Sequence, residues 1–236
     1  LWIEVAMLFG SGILGLGHHY FWIGTPEYWW EIGALFSALE PVPLVAMFVH
    51  VIYDWGKETG LKEGTEEKTM NNSPAFAWFV TNAFGNFLGA GIWGFFHTLP
   101  QVNIYTHGTQ FTSAHGHLAF FGAYATILIG MFYMGVQGKN GIKVMKATFD
   151  SKMAITLITL GVLGMTISLT VAGYGQVLVE RAQMGATWEG FFVSQDMVWF
   201  VQGLGWRLAT GIMTFVGFLY LVKDLLTTSK SPRHER

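Results

Sequence analysis

The chain has 236 residues, of which 52% are hydrophobic, 16% aromatic and only 12% charged, whereas a soluble domain carries about 25% charged residues. With a mean hydropathy of +0.41, that balance describes a membrane protein. The absence of cysteine excludes a disulfide scaffold, a thiolate metal or iron–sulfur site and covalent CxxCH haem attachment, and 13 basic against 15 acidic residues give no basis for nucleic-acid binding.

Six apolar stretches are long enough to cross a hydrocarbon core of about 30 Å as helices. They run at 1–23, 27–54, 73–98, 108–136, 152–180 and 194–226, with no room for a soluble domain between them. The expected fold is therefore all-α, a polytopic transmembrane helical bundle of about six helices forming one transmembrane domain over 1–236. The chain opens at Leu1 inside an apolar run, without an initiator Met or the charged start of a signal peptide, and reads as the C-terminal portion of a longer protein.

Lys57, Lys62, Lys68, Lys139, Lys143, Lys146, Lys152, Lys223, Lys230, Arg233 and Arg236 all fall in, or beside, the second and fourth connections and the C-terminal tail. The opposite connections, at 24–26, 99–107 and 181–193, hold only Arg181. Basic residues accumulate on the cytoplasmic side of spans, so the lysine-rich face and the C-terminus are expected there. Trp22, Tyr28, Trp29 and Trp30 at the first outer turn, with Tyr53 and Trp55 at the inner end of span 2, make the aromatic belts of such a protein. The 30 glycines, spread through the spans, suit close helix contacts or room for a flat cofactor.

His18 and His19 fall about 7 Å below the outer end of span 1, and His115 and His117 about 10–14 Å into span 4, at 1.5 Å per residue. Four histidines from distant segments thus share one layer, where ionisable residues are costly and point to function. Neighbouring helical positions turn by about 100°, so His115 and His117 point about 200° apart and cannot serve one ion. They can serve two centres on opposite helix faces, with Gly116 leaving space for planar groups. His18 and His19 are close enough in angle to share one iron, copper or zinc ion, with further ligands from elsewhere.

Glu40 lies some 13 residues into span 2, about 20 Å from the outer face at helical rise. Pro41 and Pro43 follow it and should kink or open the helix there. A carboxylate so placed is a proton donor or a member of a ligand shell, or else caps the kink or pairs with Arg207 at similar depth in span 6. Glu31 and Asp196 sit nearer the outer surface. His97 and His107 flank the outer connection and read as surface residues, as do His50 and His234 on the inner side.

Gly17-His18-His19-Tyr20-Phe21-Trp22-Ile23-Gly24-Thr25-Pro26-Glu27, Phe36-Ser37-Ala38-Leu39-Glu40-Pro41, Tyr105-Thr106-His107-Gly108 and Ala114-His115-Gly116-His117-Leu118-Ala119-Phe120 together resemble the catalytic large subunit of bacterial respiratory nitric oxide reductases, within the haem-copper oxidase superfamily. HH, LEP and HGH in combination are specific, whereas HxH alone points only to the superfamily. The resemblance implies reduction of two NO to N2O and water. It implies that His115 is the axial ligand of a high-spin catalytic haem b, His117 an axial ligand of a low-spin haem b, His18 and His19 ligands of a non-haem iron, and Glu40 the nearby carboxylate for charge and proton delivery. Roles for Glu27, Glu31, Asp196 and Arg207 stay open.

In that family the second low-spin haem ligand, a further His and Glu on the iron, and a haem-bridging calcium site lie in preceding helices. The implied partners are the N-terminal part of the same subunit, a quinol or a cytochrome c subunit as electron donor, and the lipid bilayer of a bacterial inner membrane. The long acidic-basic loop at 57–72 leans toward the quinol branch. The alternatives are an oxygen reductase with copper on His18 and His19, a relative resembling an NO dismutase, and a non-catalytic haem-b electron carrier. A zinc hydrolase ranks last, since no glutamate adjoins the His pair in a metalloprotease arrangement.

Overall fold

A computed structural model describes residues 2–21, 23–58, 73–140, 146–179 and 206–229. Trp22, Arg181, Asp196, His234 and the 59–72 connection lie outside the described residues. Every described element is helical, and the elements string together into six stretches that overlap the expected spans, with 194–205 of the sixth lying outside the described residues. Span 1 is α1 (Trp2–Gly15) continued by a 3-10 segment, Leu16–Tyr20. Span 2 is α2 (Glu27–Leu39) followed by α3 (Pro41–Glu58). Span 3 joins α4 (Pro74–Gly85), a π-helical segment Asn86–Trp93 and α5 (Gly94–Thr98). A short outer helix, α6 (Pro100–Thr106), leads to span 4, formed by α7 (Gln110–Phe120), a second π-helical segment Phe121–Ala125 and α8 (Thr126–Asn140). Spans 5 and 6 are the long helices α9 (Phe149–Gln176) and α10 (Trp206–Ser229).

The expected break in span 2 falls at Glu40. Pro41 has no N–H to donate, so the Ser37 carbonyl accepts instead from the Glu40 N–H at 3.2 Å and the chain restarts as α3 one residue later. Only α9, helical on to Val179, and α10 are at once unbroken, long and apolar enough to cross a membrane, among the described residues. Spans 1 and 2 are interrupted at His18–His19 and at Glu40, and span 3 where its Gly89 carbonyl meets His115; such interruptions are tolerated in a bilayer where neighbouring protein re-satisfies the backbone.

Helices in lipid gain little from burying one apolar face against another, so they pack through small residues that let backbones touch. Gly85 and Gly122 meet in this way, and a Cβ on either would collide with the other's backbone. Overpacking of this kind costs about 1–3 kcal/mol. Gly122→Val is therefore expected to lower the thermal midpoint of the detergent-solubilised protein by several degrees. An unchanged midpoint would mean that spans 3 and 4 separate there without cost. At the lysine-rich end, Ala75, Trp78, Ile129, Tyr133, Ala154, Ile158 and Leu221 form one buried core. Beside it the Tyr133 hydroxyl donates to Asp224 Oδ2 at 2.8 Å and Thr148, the N-cap of α9, donates to Asp224 Oδ1. That carboxylate, 1% exposed, ties α8, α9 and α10 together. The outward faces carry large apolar side chains such as Phe9, Leu35, Phe120, Phe132, Ile167, Leu208 and Phe215, each more than half exposed, as a bilayer-embedded bundle requires.

Candidate metal and haem centre

The 3-10 segment that ends span 1 presents His18 and His19 side by side, with ring centroids 4.0 Å apart. Gly17 and Gly33 hold it against α2: a Cβ on Gly17 would strike the Trp29 carbonyl, and one on Gly33 would strike the backbone nitrogen of His18. α2 thereby brings Ser37 to His18. The Nδ1 of His18 lies 2.6 Å from the Gly15 carbonyl and 2.8 Å from Ser37 Oγ. A carbonyl can only accept, so Nδ1 carries the hydrogen and Nε2 keeps its lone pair. Ser37, itself buried, passes its own hydroxyl hydrogen to Glu40 Oε1 at 3.4 Å. His18, Ser37 and Glu40 thus form one chain of hydrogen bonds.

The HGH pair lies on the regular part of α7, so its two rings leave the helix about 200° apart. The His115 Nδ1 donates to the Gly89 carbonyl at 2.9 Å and the His117 Nδ1 to the Ser113 carbonyl at 2.8 Å. In both, Nε2 is left as the free lone pair, the arrangement that orients an imidazole for a metal. Gly89 sits in the π-helical segment of span 3, where the Gly94 N–H reaches five residues back to the same carbonyl. Such π-bulges concentrate at functional sites. Here the irregularity places a carbonyl to steer His115.

His18 and His115 come within electrostatic range of each other, so spans 1 and 4 deliver their histidines to one region as their common depth implies. His19 is exposed, and His18, Glu40, His115 and His117 are half-buried. Three imidazoles with Nδ1 tied to carbonyls and Nε2 unused have the donor chemistry of haem and metal ligands. Gly116 has open space where a Cβ would stand, and a Cβ on Gly94 would meet only His115 Cε1, at 3.4 Å, and the Gly89 carbonyl, at 3.9 Å. Gly116 thus puts no side chain between the two histidines. Among the described residues no set of three or more His, Asp or Glu converges on a point that could hold a metal ion.

His97 departs from its surface reading. It is 7% exposed and packs on the His115 ring with centroids 5.0 Å apart. Its position at the end of an apolar span hid this, because burial there comes from α6 and α7 folding over it. Ser37 was in plain view within FSALEP, three residues before Glu40 and so on the same face. Glu27, Glu31, His50, His107 and Arg207 are exposed.

A sequence profile of the family described as cytochrome c and quinol oxidase polypeptide I matches residues 1–223. One subunit of the nitric oxide reductase of Stutzerimonas stutzeri is 34% identical over 222 residues, which make up 93% of this chain and 45% of that protein. This chain spans about half the length of the curated relative it matches. A heme-copper terminal oxidase dimer solved by cryo-EM superposes with a TM-score of 0.64 at 18% identity, covering 94% of this chain and 40% of the other. That likeness is one of fold.

Proposed function

Because the chain belongs to the cytochrome c and quinol oxidase polypeptide I family, a family of membrane oxidoreductases, we propose that it is the C-terminal part of the catalytic subunit of a nitric oxide reductase. The reaction joins two NO, two electrons and two protons into N2O and water. In this reading His115 holds a high-spin haem b, His117 a low-spin haem b, and His18 and His19 a non-haem iron. Ligands still missing belong to the N-terminal part of the same subunit, as does any calcium site. The protein sits in a bacterial inner membrane as one transmembrane domain, with its C-terminus in the cytoplasm and a quinol or a cytochrome c subunit as donor.

The observation that carries the reading is the hydrogen-bonded chain from His18 through Ser37 to Glu40. A soft copper site favours imidazole alone, whereas iron accepts a neighbouring carboxylate. When bound, the haems and iron supply electrons and hold the two NO close together. The residues of this chain do the rest. The Gly89 and Ser113 carbonyls fix the tautomers of His115 and His117. The Gly15 carbonyl and Ser37 do the same for His18, and Glu40 holds a proton beside that pair.

Elemental analysis of the complete purified complex tests the assignment. One iron in excess of haem, without copper, is the expected result. One copper with no excess iron would make it an oxygen reductase, and neither metal would leave a haem-b electron carrier.

A further inference from the structure

We propose that His97 is a second anchor for the haem that His115 holds, donating a hydrogen bond from Nε2 to one of that haem's carboxylates. The proposal rests on the reading of His115 as a haem ligand. Its basis is an orphaned atom: Nε2 of His97 is fully buried and makes no hydrogen bond of ordinary geometry among the described residues, on a side chain only 7% exposed. Buried polar atoms are nearly always paired, and an exception asks for the missing partner. The Phe111 backbone interacts with the His97 ring, but it falls short of the geometry of a full hydrogen bond at Nε2.

The ring is nonetheless fixed. The His97 carbonyl accepts from Asn103 Nδ2 at 2.8 Å, and Nδ1 lies 3.4 Å from the Thr106 hydroxyl. That hydroxyl can also reach the Val102 carbonyl at 3.1 Å; when its hydrogen turns to Nδ1, the ring's own hydrogen sits on Nε2. The ring packs on His115 and on Phe111, with centroids 5.0 and 5.6 Å away. α5, which carries His97, continues directly from the π-helical segment whose Gly89 carbonyl steers His115. One stretch of span 3 thus sets the ligand and places a spare donor next to it.

The chemistry of the partner follows from depth. A b haem is an apolar disc with two carboxylates on one edge, and in a bilayer that edge faces the interface, where charge is least costly. His97 stands at the outer end of span 3, two residues before the turn at Leu99 and Pro100. A neutral imidazole N–H there gives the carboxylate a partner without burying a second charge.

Redox titration of the haem-loaded complex, with haem and metal content and thermal unfolding measured alongside, tests this on His97→Phe and His97→Gln. Removing the donor leaves the carboxylate's negative charge less compensated and so favours the oxidised haem. In His97→Phe the reduced-to-oxidised ratio of the high-spin haem at fixed potential should fall on the order of tenfold, the scale of outer-shell effects. The low-spin haem should not move, and His97→Gln, which keeps an N–H donor, should stay close to wild type. If His97→Phe loses haem altogether, His97→Gln decides: wild-type haem content and ratio support the anchor, and haem loss overturns it. An unchanged ratio in His97→Phe, equal shifts in both variants, or loss of the non-haem metal with both haems unaltered would each overturn it. Retention of both haems by His115→Ala would instead remove the reading on which the proposal rests.

Discussion

On the proposed assignment, His115→Ala is expected to empty the high-spin haem site and bring NO consumption below about a thousandth of wild type, the scale on which deleting one member of a concerted catalytic set acts. His117→Ala should remove the low-spin signal instead. The complementary losses follow from helix geometry: two residues apart on a regular turn, the imidazoles leave α7 on opposite sides. Each is oriented by its own carbonyl, Gly89 for one and Ser113 for the other. Haem content and optical spectra of the purified complexes measure this directly. Loss of both haems in each variant, with the helical content intact, would mean that the pair serves one centre.

The carbonyls make a finer distinction. Ser113 precedes His117 by four residues on the same helix, so that contact survives any movement of α7 as a body. Gly89 belongs to span 3, and its bond to His115 holds only while spans 3 and 4 keep their spacing. That spacing depends on the contact between Gly85 and Gly122. Disturbing it with Gly122→Val should therefore perturb the high-spin haem before the low-spin one.

The spans were legible because a bilayer demands about 20 apolar residues at a stretch, a length that survives the irregularities within each span. The convergence of His18 and His115 was legible for a similar reason: depth is counted in residues from the outer connections, at which span 1 ends and span 4 begins. The opposed directions of His115 and His117 came from the helical period alone. The environment of His97 was not legible. Its burial depends on α6, a seven-residue helix with no periodic pattern to announce how it folds back. Nor do the π-helical segments leave a periodic signature, since Asn86–Trp93 is as apolar and glycine-rich as the helices around it. The irregular backbone appears only where α7 packs against it and His115 takes the Gly89 carbonyl.

Glu40→Gln should reduce NO turnover by about 10²–10⁴-fold, the usual contribution of a positioned acid or base, while both haems stay bound with unchanged spectra. Among the described residues the carboxylate is tied to His18 through Ser37, 2.8 Å from His18 Nδ1 and 3.4 Å from Glu40 Oε1. This makes the serine a positioning residue whose loss can be told apart from loss of the acid. Ser37→Ala removes the hydroxyl that His18 Nδ1 shares with the Gly15 carbonyl, and outer-shell deletions cost about 10–100-fold in metal affinity. Non-haem metal should leave Ser37→Ala more readily on chelation, with turnover regained when iron is added back. Glu40→Gln should keep that metal and regain nothing. Wild-type turnover in Glu40→Gln would refute the proton role. A Glu40→Gln protein that lost its non-haem iron, and recovered turnover when iron was restored, would make the carboxylate a member of the ligand shell.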